Sequence, residues 1–127
     1  MSGGVLIDSS AWINHLKVAD AAVIAVLSSG RALTHPMVIG ELTLGTPKDR
    51  KRTLESISLL QRTNAASMDE VLQFVERERL YGLGCGLIDV TLLMSTLITP
   101  GATLMTLDNR LAALADRFKV LRKLPLH

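Results

Sequence analysis

Twice in this chain a short apolar run stops at an aspartate that has helix-forming sequence behind it. Val5-Leu6-Ile7 leads into Asp8, and Ala102-Thr103-Leu104-Met105-Thr106-Leu107 leads into Asp108. A short run without polar alternation predicts a strand covered on both faces, as in parallel α/β sheets. An acid at the carboxyl end of such a strand stands where open α/β sheets take their ligands. Asp8 by itself reads equally well as a helix cap. Ser9 and Ser10 are also good N-cap residues ahead of Ala11-Trp12-Ile13. Three more acids in comparable settings favour the functional reading.

The rest of the chain keeps the alternation. A short helix is expected over Trp12 to Lys17, and a second is capped by Asp20. A strand is expected over Arg31 to His35, and a helix opened by Pro36 runs to about Leu44. That helix carries Glu41, with Val38 and Leu42 close on its surface, so the acid is expected on the inward stripe. An unpaired buried carboxylate there costs several kcal/mol, which favours a ligand role. A turn bearing Lys48, Arg50, Lys51 and Arg52 leads into an amphipathic helix; the run reads as a solvated face or as a phosphate-steering rim.

Further on, a short strand is expected over Thr63 to Ala66, and Ser67-Met68-Asp69-Glu70 carries capping signals for the next helix. Gly82-Leu83-Gly84-Cys85-Gly86 has the glycine density of a phosphate loop but matches neither nucleotide-binding fingerprint. It reads as room for close backbone approach before a helix. Asp89 falls in that helix's first turn, on the side of Leu92, Leu93 and Thr96, so it too is expected to point inward. A last strand is expected over Phe118 to Leu124. The whole reads as one α/β domain over residues 1–127, a parallel sheet with helices on both faces.

With 127 residues and 48% hydrophobic content the chain can build a sizeable core. A mean hydropathy of +0.32 exceeds what so small a domain can hide alone, so association with a second copy or a partner is expected. The net charge of +2 does not by itself imply nucleic acid. The single cysteine, Cys85, excludes an internal disulfide and suits a reducing cytoplasm. No secretory leader is evident at Met1 to Gly4, and Leu87 to Ile98 is too short, and with Asp89 too charged, to span a bilayer.

A parallel sheet would bring Asp8, Glu41, Asp89 and Asp108 to one end. Four negative charges a few ångströms apart repel by several kcal/mol in total even at an effective dielectric of about 20. Protonation or a cation must relieve this, and all-oxygen ligands select Mg²⁺ or Mn²⁺, one or two ions per site. His15, His35, His127 and Cys85 do not form a zinc pattern. A site of this kind suits phosphodiester hydrolysis. Ser10 and Thr106 are placed to orient a carboxylate or a water, or to cap backbone locally.

Leu6-Ile7-Asp8-Ser9-Ser10-Ala11-Trp12, Ile39-Gly40-Glu41-Leu42, Gly84-Cys85-Gly86-Leu87-Ile88-Asp89 and Met105-Thr106-Leu107-Asp108-Asn109-Arg110-Leu111 together resemble PIN-domain proteins, in particular the VapC toxins of toxin–antitoxin pairs. The resemblance covers nearly the whole chain. It implies a three-layer α/β/α sandwich around a five-stranded parallel sheet and a Mg²⁺-dependent endoribonuclease. It also implies metal-site acids at Asp8, Glu41, Asp89 and Asp108, with Thr106 as a supporting hydroxyl. Some members carry an additional acid shortly after the fourth; here Asn109, a candidate supporting residue, and Arg110 follow Asp108, which bears on a second metal. Homodimerisation and a VapB antitoxin that occludes the pocket are implied too. The family's substrates include tRNA and ribosomal RNA, and DNA cleavage would use the same chemistry.

Two rival classes are separable on the sequence. An inactive PIN scaffold binding RNA or protein has no need of all four acids. A receiver-like Mg²⁺-binding signalling domain normally has adjacent acids after its first strand and a lysine after its last, whereas Asp8 stands alone after Ile7.

Overall fold

Val5, Leu6 and Ile7 are wholly buried, as a strand covered on both faces must be. The computed structural model describes residues 3–123. Their elements are β1 (Val5–Ile7), α1 (Ser9–Val18), α2 (Ala21–Ser28), β2 (Ala32–Thr34), α3 (Pro36–Thr43), α4 (Arg50–Ser58), β3 (Gln61–Arg62), α5 (Met68–Glu78), α6 (Leu87–Leu97), β4 (Thr103–Met105) and α7 (Asn109–Arg117). The strands form a parallel sheet in the order β3-β2-β1-β4. Helices pack in two sets, α1 to α4 with one another and α5 to α7 with one another, and α6 lies against β4. No single helix is long and apolar enough to cross a membrane; α6 has 11 residues.

Described this way the sheet has four strands, not the expected five. The chain after α7 does return beside β4, but only Leu121 pairs there, in a single parallel bridge to Leu104. The bridge's hydrogen bonds run through its neighbours, from the Leu104 N–H to Val120 O at 2.7 Å and from the Arg122 N–H to Leu104 O at 2.8 Å. Phe118 packs on Phe74 at 5.6 Å between ring centroids, and the Val120 N–H donates back to Ala115 at the end of α7. Lys123 reaches Asp116 at 3.7 Å. Leu124, the end of the expected strand, lies outside the described residues, as does His127.

The strand expected over Thr63 to Ala66 forms instead at Gln61–Arg62. Thr63 adds one more bond, donating to Thr34 O, and then the chain turns away. Asn64 explains the turn: its backbone N–H goes to Thr99 Oγ1 and its side-chain amide to Ile98 O, both at 2.9 Å, at the far end of α6. On an edge strand the polar side chains of Gln61 and Arg62 stay exposed without cost. The first helix starts earlier than expected, because Asp8 rather than a serine is its N-cap, accepting from the Ala11 N–H. The capping box at Ser67 and Glu70 forms as expected.

α3 begins with an unusual cap. His35, only 5% exposed, turns Nδ1 to accept from the Met37 N–H at 2.9 Å. Burial pushes its pKa down, and the Arg62 charge adds to the effect. The folded state therefore prefers the neutral ring. That preference is fully present above the ordinary value of 6.5 and is lost progressively as pH falls below it. Lowering the pH from 7.5 to 5.5 is expected to cut the urea midpoint of the wild type more than that of His35→Asn, which keeps a capping group without titrating. Leu6→Ala, at a wholly buried position on β1, is expected to cost about 2–5 kcal/mol in the same assay.

Candidate active centre

Ile7 pairs with Met105 across β1 and β4, and the Asp8 N–H continues the ladder to Met105 O at 3.0 Å. The next residues on the two strands, Asp8 and Thr106, therefore leave the sheet side by side. Asp8 is 3% exposed, and its carboxylate collects three donors. Ser10 Oγ donates to Oδ1 at 2.7 Å, the Ala11 N–H to the same oxygen at 3.0 Å, and Thr106 Oγ1 to Oδ2 at 2.5 Å. Ser10 Oγ in turn accepts from the Leu107 N–H, and Thr106 Oγ1 from the Asp108 N–H, both at 3.0 Å. The hydroxyls of Ser10 and Thr106 thus act both ways: they orient Asp8 and tie down the chain after β4.

Glu41 reaches the same edge from α3, half-buried, with Val38 and Leu42 buried beside it. Its Oε1 accepts from Ser9 Oγ at 2.9 Å. Ser9 was read from the sequence only as a possible cap; nothing in one dimension links positions 9 and 41. Asp89 is half-buried in the first turn of α6. Burial pushes its carboxyl above the ordinary value, and the charges of Asp108, Asp8 and Glu41 push the same way against a hydrogen bond from the Gly86 backbone. All four acids are therefore within electrostatic reach of one another's neighbourhood at Asp89. Asp108 is the exposed one; it caps α7, accepting from the Leu111 N–H at 2.9 Å.

The donors at this edge are oxygens. His15 and His35 spend Nδ1 on backbone N–H groups of Asp20 and Met37. The Cys85 thiol is held up by burial and by the Asp89 and Asp108 charges, with Arg110 opposing. Among the described residues no three carboxylate, imidazole or thiol side chains close into a ready-made metal shell. The acids stand around the edge, each steadied by a hydroxyl or a backbone N–H, without meeting at a centre.

The basic run does not form one rim. Arg50 is bound to the end of α3, donating from Nε to Gly45 O at 3.0 Å and from its terminal nitrogen to Thr43 O at 2.5 Å. Lys48 lines, with Lys17 and Glu41, a cavity of about 340 Å³ whose other walls are Ile13, Leu16 and Leu42. Arg52 faces a different hollow beside Trp12 and His15, and Lys51 a third beside Leu59. Asn109, at the first position of α7, lines with Arg110 a cavity that shares no lining residue with the one at Glu41.

The chain is similar to known proteins over most of its length. No protein-family model matches the chain. It is 43% identical over 109 residues to "Ribonuclease VapC32" from two strains of Mycobacterium tuberculosis, an alignment covering 86% of this chain and 88% of that protein. The crystal structure of PAE2754 from Pyrobaculum aerophilum has the same fold, with a TM-score of 0.60 at 19% identity, covering 94% of this chain and 98% of that one. On the first of these likenesses, over most of both chains, the protein belongs to the VapC family of PIN-domain ribonucleases.

Proposed function

We propose that the chain is the toxin of a toxin–antitoxin pair, an endoribonuclease whose acidic edge works with a divalent cation. The observation that carries this is the setting of Asp89: a half-buried carboxyl whose burial and three acidic neighbours all oppose its ionisation. Asp8 and Asp108 each cap a helix, which an uncharged Ser or Asn would do as well without adding negative charge beside Glu41 and Asp89. Oxygen donors without a usable imidazole or thiol suit a hard ion, so Asp8, Glu41, Asp89 and Asp108 are the residues that would hold Mg²⁺ or Mn²⁺, one or two ions. When bound, such an ion lowers the pKa of a water and offsets charge on a scissile phosphate.

The protein's own part is orientation. Ser10 and Thr106 hold Asp8 in one rotamer, and Ser9 holds Glu41. Asp108 is aimed by its cap on α7. Because the acids are kept apart rather than in contact, cation binding draws on groups already steadied, at little entropic cost. Asn109 stands next to Asp108 as a supporting residue, and Lys48 at Glu41's cavity is the member of the basic run best placed to meet RNA.

A VapB-type antitoxin would silence the site by covering it. The apolar groove of Ile13, Leu16 and Leu42 ends at Glu41 and would take such a segment. Leu44 and Leu59, 89% and 86% exposed, agree with further burial in a homodimer or a toxin–antitoxin hetero-oligomer. The reading places the protein in the cytoplasm, where RNA and a reduced Cys85 are both expected.

Purified, antitoxin-free protein is expected to cut total cellular RNA, tRNA or ribosomal RNA among it, with Mg²⁺ or Mn²⁺. EDTA, Asp8→Asn or Asp89→Asn is expected to abolish the cuts while the fold persists. Equal cleavage by the variants would refute the site. Thr106→Val is expected to lower activity about 10–100-fold, as loss of a ligand-orienting group does, with Thr106→Ser restoring most of it.

Stability provides a separate readout. Asp89 is raised in the fold, so the folded state holds its proton more tightly, and metal-free stability falls as pH rises above the ordinary 3.8. In EDTA at pH 7.5, Asp89→Asn is expected to melt a few degrees above wild type, the gap closing as pH falls toward the carboxylate range. Mg²⁺ should raise the wild-type Tm and leave the variant's unchanged.

A further inference from the structure

The acidic edge by itself repels a polyanion, so RNA needs positive charge close by to bind at all. Beyond Asp108 the chain supplies it. Between the Gly82–Gly86 loop and α7 lies a cavity of about 400 Å³, walled by Leu83 and Cys85 from the loop and by Asn109, Arg110, Ala113 and Arg117 from α7. Two guanidinium groups line it and no carboxylate does.

Both arginines are steadied without being neutralised. Arg110 donates one N–H to Gly84 O at 3.2 Å. Gly84 has φ +82°, and a Cβ there would lie 3.0–3.1 Å from the guanidinium, so the loop is shaped to the arginine laid on it. Arg117 donates one N–H to Glu78 O at 3.1 Å and stands 5.3 Å over the Phe118 ring. Among the described residues neither is in an ion pair. Each guanidinium keeps further donors, in the planar fork that suits phosphate. They are seven positions apart on α7, about 10 Å along its axis and on one face, so they would meet different phosphates of one strand. Leu83 and Ala113 put an apolar surface beside them. The wall adjoins the acidic edge: Asn109 and Arg110 directly follow Asp108, the N-cap of α7.

We propose that this cavity is the subsite for the single-stranded RNA flanking the scissile phosphodiester, with Arg110 and Arg117 each on a backbone phosphate and a base against Leu83 and Ala113. This rests on the ribonuclease reading above. The charge favours RNA over a protein segment, since the lining is cationic and lies beside the centre that must receive a phosphodiester.

The test is binding of a short single-stranded RNA of mixed sequence in EDTA, read by fluorescence anisotropy over a range of salt, for wild type, Arg110→Gln, Arg117→Gln and the double variant. Arg62→Gln, which removes one exposed charge on β3, at the edge of the sheet opposite β4, is the control. Each single variant is expected to weaken binding at least threefold and lower the log–log salt slope by about 0.7, and the double by about twice that. Arg110→Lys and Arg117→Lys should keep the slope while losing part of the affinity, which also covers any folding defect of the glutamine variants. With Mg²⁺, Arg117→Gln should raise KM more than it lowers kcat. Wild-type slope and affinity in the double variant would overturn the subsite, as would a loss no larger than the control's. A changed oligomeric state with unchanged RNA binding would make the cavity a protein interface instead. Wild type that neither binds nor cuts RNA would remove the ribonuclease reading, and the subsite with it.

Discussion

Ile7 lies opposite Met105 in a parallel ladder, and the residue after each, Asp8 and Thr106, must emerge together. The meeting of Asp8 with Thr106 at the acidic edge follows from that register. A slip of one residue would turn Asp8 onto the opposite face of the sheet and leave Thr106 with no carboxylate to meet. The register is strongly held because both strands are buried: Leu6 and Leu104 are wholly inaccessible and have no solvent face to which they could be moved. Core packing therefore sets the position of a polar group, which is how a rigid scaffold orients chemistry it does not itself perform.

The ionised carboxylate of Asp89 opposes folding, through burial and through the charges of Asp108, Asp8 and Glu41. The chain does not neutralise the group with lysine or arginine pairs; the two ion pairs among the described residues, Arg77–Glu78 and Lys123–Asp116, are both elsewhere and exposed. It uses hydroxyls and backbone N–H groups, which hold a carboxylate in place and still leave its charge for a cation. Arg110 is close, yet it is turned to the Gly84 carbonyl and not to an acid. The result is a negative edge with a cationic flank.

Much of the architecture was legible before any coordinates. The runs Val5–Ile7 and Ala102–Leu107 read as buried strands; the first is buried throughout, and the second forms a strand over Thr103–Met105. Pro36, Ser67 and Gly86 marked helix starts at or within a residue of where they occur. The errors fell at the margins of the sheet. Gln61–Arg62 carries no apolar signal because an edge strand does not need one, and the strand signal of Phe118–Leu124 yields, among the described residues, only the bridge at Leu121, with Phe118 packed on Phe74 and Val120 closing α7. The basic run at Lys48–Arg52 looked like one rim, but helical geometry and the binding of Arg50 to the end of α3 send its members to different surfaces.

The sequence by itself determined which residues carry charge among apolar neighbours, and from that the strand-then-acid units, the helix bearing Asp89 and the likeness to PIN-domain proteins. These are local properties: burial periodicity, capping preference and turn chemistry act over a few residues and are written in order along the chain. Only the tertiary structure decided that Ser9 steadies Glu41, that Thr106 reaches Asp8 across 98 positions, and that Arg110 lies on Gly84. Those contacts depend on strand order and helix packing, which bring together groups whose separation in sequence holds no trace of their separation in space.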